Sequence, residues 1–161
     1  MPEVQFVFIG GGIEAARLKE EASTRGLPNV LFLPRRPYKE IGEVLSAADA
    51  LLVHLRDKPL FRVTTPSKIQ AYLFMGKPIV AAVRGDAAEL VLRAEAGVAC
   101  PPESPRALCD AVARLVQLPP EERAEMGRRG RSFYARELSI AAGTARFEAL
   151  FLEAVSEPGG A

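Results

Sequence analysis

The chain has 161 residues, of which 48% are hydrophobic and 25% charged, as expected for one ordinary globular domain. Lysine and arginine together number 21 and aspartate and glutamate 20, which excludes the strong positive charge of a typical nucleic-acid-binding domain. One histidine and two cysteines, Cys100 and Cys109, argue against multi-histidine or cysteine-cluster metal sites and against a disulfide framework. We expect both cysteines to be reduced and buried.

Short apolar segments alternate with longer amphipathic ones over the first 100 residues, which predicts βα units and a parallel sheet. The predicted strands are 4–9, 29–33, 50–55, 78–83 and 98–100. The predicted helices are 14–25, 38–48, 66–75 and 87–96. Gly26, Gly76 and Gly97 each follow one of these helices, where a left-handed residue is favoured.

Beyond residue 100 the pattern predicts helices only, at 105–118, 121–137 and 140–155. We interpret them as a helical cover of the same domain. The predicted fold is therefore α/β, a Rossmann-like parallel sheet of about five strands with helices on both faces and a C-terminal helical cover. Residues 1–156 are predicted to form this domain, and the Gly/Pro-rich residues 157–161 a flexible tail.

The loops after the strands are the candidate ligand contacts, because open parallel sheets bind ligands at the carboxyl ends of their strands. The first loop has the pattern G-x-G-x-x-A, running from Gly10 to Ala15. Gly11 and Gly12 would let a phosphate or a sugar approach the backbone. A tight turn that requires positive φ explains the glycines equally well.

The second loop contains Pro34, Arg35 and Arg36. An NAD site would have a carboxylate at the end of this second strand to bind the ribose, so NAD is disfavoured. The two arginines leave NADP open, and solvated arginines in a proline-stiffened loop are the alternative.

The third loop leads into a predicted helix that opens with Thr65-Pro66-Ser67-Lys68. Thr65 suits the N-cap and Pro66 the first helical position, so the backbone N–H groups of Ser67 and Lys68 would be available to an anion. Lys68 opposes the helix dipole in this first turn, and a bound phosphate would reverse that effect. Alternatively, Lys68 extends into solvent. The apolar residues of the same helix would then fill the core: Ile69, Tyr72 and Leu73.

The fourth loop contains Gly85, followed by Asp86 and Glu89 at the spacing of a capping box. Those carboxylates suit a structural role at the helix start and contact with ligand hydroxyls equally. His54, at the end of the third strand, is predicted to be a hydrogen-bonded packing residue rather than a catalytic base.

These segments together resemble the C-terminal domain of group 1 (family 4) glycosyltransferases, which have the two-domain GT-B fold. The resemblance rests on six stretches spread along the chain: 6–12, 48–50, 76–81, 89–91, 96–98 and 104–108. The stretch from Pro66 to Leu73 is similar to a PSK-type sub-branch that transfers amino-sugars and fucosyl-type sugars in cell-surface polysaccharide assembly.

The resemblance implies metal-independent and cofactor-free transfer of a sugar, with retention, from a nucleotide diphosphate-sugar to a glycan or lipid-linked acceptor. It implies that an N-terminal acceptor domain is absent from this chain, that the domain alone is inactive, and that the protein is cytoplasmic, at the inner face of the membrane when full-length. Val63 and Ala71 replace the family's Glu-x7-Glu, so the ribose contact is unassigned. No nucleic-acid partner and no transmembrane segment are expected.

The residues predicted to contact the substrate are Gly11, Gly12, Pro34, Arg35, Arg36, Thr65, Ser67, Lys68, Tyr72, Gly85, Asp86 and Glu89. No catalytic residue is assigned. Two alternatives remain open, an NADP-binding Rossmann domain and a non-catalytic subunit that resembles a glycosyltransferase.

Overall fold

The structure, a computed structural model, describes residue 1 and residues 3–156, so the predicted tail at 157–161 lies outside the described residues. The chain divides into two compact units, Met1–Val44 (unit 1) and Leu45–Ala161 (unit 2). Each unit is described below by itself. The boundaries predicted for the whole domain stay a prediction.

Unit 1 contains a two-stranded parallel sheet. Its strands are β1 (Phe6–Ile9) and β2 (Val30–Leu33), joined by helix α1 (Ala15–Thr24). Within the predicted helix 38–48, a 3₁₀ turn (Tyr38–Glu40) precedes helix α2 (Ile41–Ser46), whose last two residues belong to unit 2. The rings of Phe8 and Phe32, on paired positions of the two strands, stack with centroids 5.3 Å apart.

Unit 2 contains a three-stranded parallel sheet in the order β3-β4-β5. Its strands are β3 (Leu51–His54), β4 (Ile79–Ala82) and β5 (Gly97–Cys100). Its helices are α3 (Pro59–Arg62), α4 (Ser67–Met75), α5 (Asp86–Arg93), α6 (Pro105–Gln117), α7 (Pro120–Phe133) and α8 (Ile140–Ser156), and a π-helical turn, Tyr134–Leu138, follows α7. Every residue of the central strand β4 is apolar and buried, as a parallel strand covered by helices requires.

The predicted α/β class, with parallel strands and helices on both sides, is confirmed. Five strands form as predicted, but the described residues arrange them in sheets of two and three. The short helix α3 was not predicted, because Pro59–Arg62 is one turn long and has no apolar periodicity.

The core of unit 2 joins helices α4, α5 and α7 to the sheet. Ile69 and Leu73 of α4, Ile79 of β4 and Val91 of α5 have no exposed surface, and Phe133 of α7 packs among them. Helix α7, which packs against α4, therefore contributes a core residue.

Two of the three glycines predicted to follow helices in a left-handed conformation do so, Gly26 with φ 58° and Gly76 with φ 67°. The prediction is wrong for Gly97, because Glu95 (φ 48°) adopts the left-handed conformation after α5. Gly97 is instead the first residue of β5, where a Cβ atom would lie 1.9 Å from the carbonyl oxygen of Ile79. Close approach of two strands explains this glycine.

Both cysteines are free, and Cys100 is buried as predicted, with the pKa of its thiol raised by burial. Cys109 is exposed, so the prediction that it is buried was wrong. The buried residues of α6 are Ala111, Val112 and Leu115, and Cys109 lies off the helix face that they define.

Candidate functional site

The carboxyl ends of β3, β4 and β5 lie at the same edge of the unit 2 sheet, because the strands are parallel and in register. His54 of β3 is opposite Ala82 of β4, which is opposite Cys100 of β5. The predicted contacts in unit 2 lie in the loops that follow β3 and β4 and in the helices α4 and α5 into which those loops lead. We call this the carboxyl edge of unit 2.

Helix α4 begins at Ser67, and Pro66 occupies the N-cap position. The prediction of Thr65 as the N-cap was wrong, because Pro66 is extended (φ −60°, ψ 136°) and outside the helix. Proline offers no side-chain oxygen, so no side chain at the cap accepts a hydrogen bond from the first turn. The backbone N–H of Ile69 donates to the carbonyl of Pro66 at 3.0 Å, which closes the first turn.

The first turn of α4 presents a cation at the positive end of the helix. Ser67 and Lys68 are exposed, and the turn contains no acidic residue to offset the dipole. Ile69 and Leu73 are buried on the opposite side, and the half-buried Tyr72 packs against the core, which raises the pKa of its phenol. This arrangement is suited to binding an anion beside Lys68.

Gly85 occupies the N-cap position of α5, with φ 67° and ψ −145°. The predicted capping box was wrong, because the helix begins at Asp86 and no side chain caps it. The backbone N–H groups of Ala88 and Glu89 donate to the carbonyl of Gly85, at 2.9 and 3.0 Å. Asp86 and Glu89 are both exposed in the first turn, where their charges favour the helix dipole.

Both the φ angle and the packing at position 85 require glycine. A Cβ atom at this position would lie 1.9 Å from the carbonyl oxygen of Arg62, which is a backbone atom. The loop after β4 therefore lies directly against α3, in the loop after β3.

A network centred on Asp57 connects the three loops of the carboxyl edge. Its carboxylate accepts hydrogen bonds from Nε of Arg62 and Nε of Arg84, each at 3.0 Å. Its backbone N–H donates to Oε2 of Glu103, in the loop after β5, at 2.9 Å. The hydrogen bond from Arg62 contributes most to holding the pKa of the Asp57 carboxyl below its ordinary value. The sequence did not indicate this network.

His54 is exposed at the end of β3, and its Nε2 accepts a hydrogen bond from the backbone N–H of Glu103 at 3.4 Å. The predicted hydrogen bond is therefore present, while the side chain is exposed rather than packed in the core. A ring nitrogen that accepts from backbone is held in place by that contact.

Unit 1 brings the glycine loop and the two arginines together. Together they line a hollow of about 530 Å³, whose walls are formed by Ile9, Gly10, Gly11, Arg35, Arg36, Tyr38 and Ile41. Pro34 and Gly12, the other predicted contacts of this unit, are exposed and do not line it. Arg36 forms an ion pair with Glu40 at 3.8 Å.

The turn interpretation accounts for only one of the three glycines in this loop. Gly10 has φ 119°, and its N–H donates to the carbonyl of Leu33 at 3.1 Å. Gly11 and Gly12 have no positive φ, and a Cβ atom at either position would meet nothing within 4 Å. Among residue 1 and residues 3–156, therefore, neither backbone conformation nor packing requires these two glycines.

Across residue 1 and residues 3–156, no group of three or more histidine, cysteine, aspartate or glutamate side chains is placed to hold a metal ion. Over the same residues, no helix has the length and apolar character needed to cross a membrane.

The fold and its loops define the class of protein, a Rossmann-like α/β domain in which helix α4 begins at the carboxyl edge of a parallel sheet with an exposed lysine in its first turn. Residues 1–133 match the family of glycosyl transferases group 1. The chain belongs to this family. Comparison with curated proteins gave no match.

Several solved structures share the fold at low sequence identity. The chain is similar to sucrose-phosphate synthase from Thermosynechococcus elongatus, with a TM-score of 0.71 and 21% identity over 96% of this chain and 39% of that one. It is similar to HepE from Anabaena in complex with UDP, with a TM-score of 0.76 and 22% identity over 93% and 41% of the two chains. WaaG, a glycosyltransferase involved in lipopolysaccharide biosynthesis, gives a TM-score of 0.67 and 18% identity over 83% and 34%.

These similarities confirm the predicted GT-B type of fold. The chain spans about two fifths or less of the length of these structures.

Proposed function

We propose that the chain binds the nucleotide diphosphate-sugar donor of a glycosyltransferase that transfers the sugar to a glycan or lipid-linked acceptor. The observation that carries this proposal is the first turn of α4, where Lys68 is exposed and no side chain caps the helix. Membership of the group 1 family supports it, and HepE, which has a similar fold, was crystallised with UDP and with UDP-glucose.

In this proposal Lys68 and the first N–H groups of α4 bind the diphosphate. Negative charge builds up on the diphosphate as the glycosidic bond breaks, and a cation at a helix N-terminus stabilises that charge. Positioning of the donor contributes the rest of the rate acceleration. The reaction then needs no metal and no cofactor, and we propose that it retains the anomeric configuration.

The other predicted contacts have separate roles in the proposal. In unit 1, the exposed backbone at Gly11 and Gly12 is open to close approach by a nucleotide, and Pro34 to Arg36 are exposed. The segment from Gly85 to Glu89 contacts the sugar hydroxyls. Val63 and Ala71 accept no side-chain hydrogen bond, so the ribose is bound elsewhere.

We place the chain in family 4 and in its PSK-type sub-branch, on the stretch from Pro66 to Leu73. Because the chain spans about two fifths of the solved structures it resembles, we propose that a further, N-terminal domain binds the acceptor. On that basis we propose that this chain alone has no transferase activity. We also propose that the complete protein acts in the cytoplasm, at the inner face of the membrane.

Replacing Lys68 with alanine tests the donor site. We expect the affinity for a nucleoside diphosphate to fall about tenfold or more, as for the loss of a hydrogen bond to a charged group, while the affinity for the nucleoside stays unchanged. The measurement is isothermal titration of the chain with UDP, GDP and dTDP, followed by the nucleoside of the tightest binder.

Lys19→Ala is the matched control, because Lys19 is also an exposed helical lysine but lies past the first turn of its helix, α1, and is not a predicted contact. Equal affinities in the Lys68→Ala and Lys19→Ala variants would show that Lys68 does not bind the diphosphate. Absence of any nucleoside diphosphate binding by the unmodified chain would contradict the proposed function itself.

A second candidate function is NADP binding, which the shared hollow of Gly11, Arg35 and Arg36 favours. Titration with NADPH under the same conditions distinguishes NADP binding from binding of a nucleotide diphosphate-sugar. Binding of NADPH in preference to every nucleoside diphosphate would favour this candidate. A non-catalytic subunit would bind donor in the same titration, yet the complete gene product would transfer no sugar.

A further inference from the structure

Two arginines at the carboxyl edge of unit 2 share one carboxylate. Arg62 contacts Oδ1 of Asp57 through Nε at 3.0 Å and through Nη2 at 2.8 Å. Arg84 contacts Oδ2 through Nε at 3.0 Å. The arginines come from different loops, 22 positions apart in the sequence, so Asp57 brings together two cations that local sequence would keep apart.

The arrangement leaves positive charge facing the solvent. The side chain of Asp57 is 26% exposed, whereas those of Arg62 and Arg84 are 53% and 51% exposed. One negative and two positive charges give this trio a net charge of +1, and Glu103, whose Oε2 accepts a hydrogen bond from the backbone N–H of Asp57, adds one negative charge on the main-chain side of Asp57. Each guanidinium has five N–H donors, and Asp57 engages only a minority of them.

The backbone also fixes the main-chain positions of the two arginines relative to each other. Gly85, the residue after Arg84, lies so close to the carbonyl oxygen of Arg62 that no Cβ atom fits between them. Both arginines are therefore anchored at the main chain and at the guanidinium. Such a preorganised pair loses less side-chain entropy when it binds a ligand than two free arginines would.

We propose that Arg62 and Arg84 form an anion-binding pair for the donor diphosphate, and that Asp57 is the positioning residue that holds the pair. This inference rests on the proposed function. A diphosphate carries more than one negative charge, and Lys68 supplies only one positive charge. Arg62 lies in the same loop as the start of α4, five residues before Ser67, so its backbone is within about 18 Å of that helix end even when fully extended.

Guanidinium groups suit this ligand better than a further lysine would. Their planar fork donates two parallel hydrogen bonds to phosphate oxygens, which adds direction to the charge interaction. Asp57 remains ionised at neutral pH, because its two arginine partners favour the carboxylate.

The test compares the double variant Arg62→Leu/Arg84→Leu with Arg128→Leu/Arg129→Leu. The control pair also shares one carboxylate, Glu125, but lies on α7. We expect the first double variant to lose about tenfold or more in affinity for the nucleoside diphosphate, by titration as above, with the nucleoside affinity unchanged. Equal losses for diphosphate and nucleoside, or an equal loss in the control, would overturn the inference.

Asp57→Asn separates positioning from charge. If Asp57 holds the pair, the diphosphate affinity falls, and Asp57→Glu recovers part of it. If Asp57 only masks the arginines, removing its charge raises the affinity, and the positioning role is wrong.

The double leucine variant is checked for folding by circular dichroism. If it does not fold, Arg62→Lys/Arg84→Lys replaces it, because this variant keeps both charges but removes both guanidinium groups. Full diphosphate affinity in the lysine variant would count against the guanidinium pair.

The outcomes also separate this inference from the proposed function. If Lys68→Ala weakens diphosphate binding while the double arginine variant does not, only the arginine pair is rejected. If the unmodified chain binds no nucleoside diphosphate, the proposed function is rejected and the inference with it.

Discussion

Replacing Gly127 with alanine is expected to destabilise unit 2 by about 3 kcal/mol, the upper part of the range for overpacked sites. A Cβ atom at Gly127 would lie 2.0 Å from the carbonyl oxygen of Gly76, and so α7 would have to move away from the end of α4. The obstructing atom belongs to the backbone, next to the buried strand β4, and it cannot turn aside as a side chain would.

Gly143→Ala is the matched control for this substitution. Gly143 also lies inside a helix, α8, but nothing lies within 4 Å of a Cβ atom there. Alanine favours the helix over glycine by about 1 kcal/mol, so this variant should be slightly more stable. Urea denaturation followed by circular dichroism measures both, since the chain has no tryptophan. Equal effects at the two positions would show that the contact between α7 and Gly76 is not tight.

Leu73→Ala is expected to lower the free energy of unfolding of unit 2 by about 3 kcal/mol, as for other leucines deleted from a packed core. Leu73 has no exposed surface and belongs to the core cluster that joins α4, α5 and α7 to the sheet. The cavity left behind cannot close easily. The nearby Gly130 has no side chain to fill it, and a Cβ atom there would already lie 3.1 Å from Cδ2 of Leu73.

Leu92→Ala provides the comparison for Leu73, because Leu92 lies on α5 and is 52% exposed. Its loss should change stability by less than about 1 kcal/mol, as for most surface substitutions. The same denaturation experiment applies. A cost at Leu73 no greater than that at Leu92 would contradict the assignment of α4 as a core helix.

The sequence predicted all five strands, because each is a short apolar run bounded by loop residues. It also located the helix that carries Lys68. The ends of helices were less predictable. Thr65 and Asp86 have the chemistry of capping residues, but the extended Pro66 and the positive φ of Gly85 place the helix starts elsewhere. Cap position depends on backbone angles that composition does not determine.

The network around Asp57 was beyond prediction for a different reason. Asp57 meets Arg84 across 27 positions and Glu103 across 46. Contacts of that separation depend on how the loops after three strands fold over one sheet edge. In the sequence, Arg56 to Arg62 has the appearance of an ordinary charged loop. Within unit 1, by contrast, Gly11, Arg35 and Arg36 lie together because β1 and β2 are adjacent parallel strands, so the loops that follow them meet at one edge.

The core described above belongs to unit 2, whereas no described residue of 1–44 is buried. Amide hydrogen exchange should register this contrast. The amides of β4 should exchange with deuterium only when unit 2 unfolds globally, while those of β1 and β2 exchange through smaller local openings. A ligand that binds unit 1 should therefore increase the order of unit 1 more than a ligand of unit 2 increases the order of unit 2. The reason is that little apolar burial stabilises unit 1 by itself, so the stability added by ligand binding has the larger effect there.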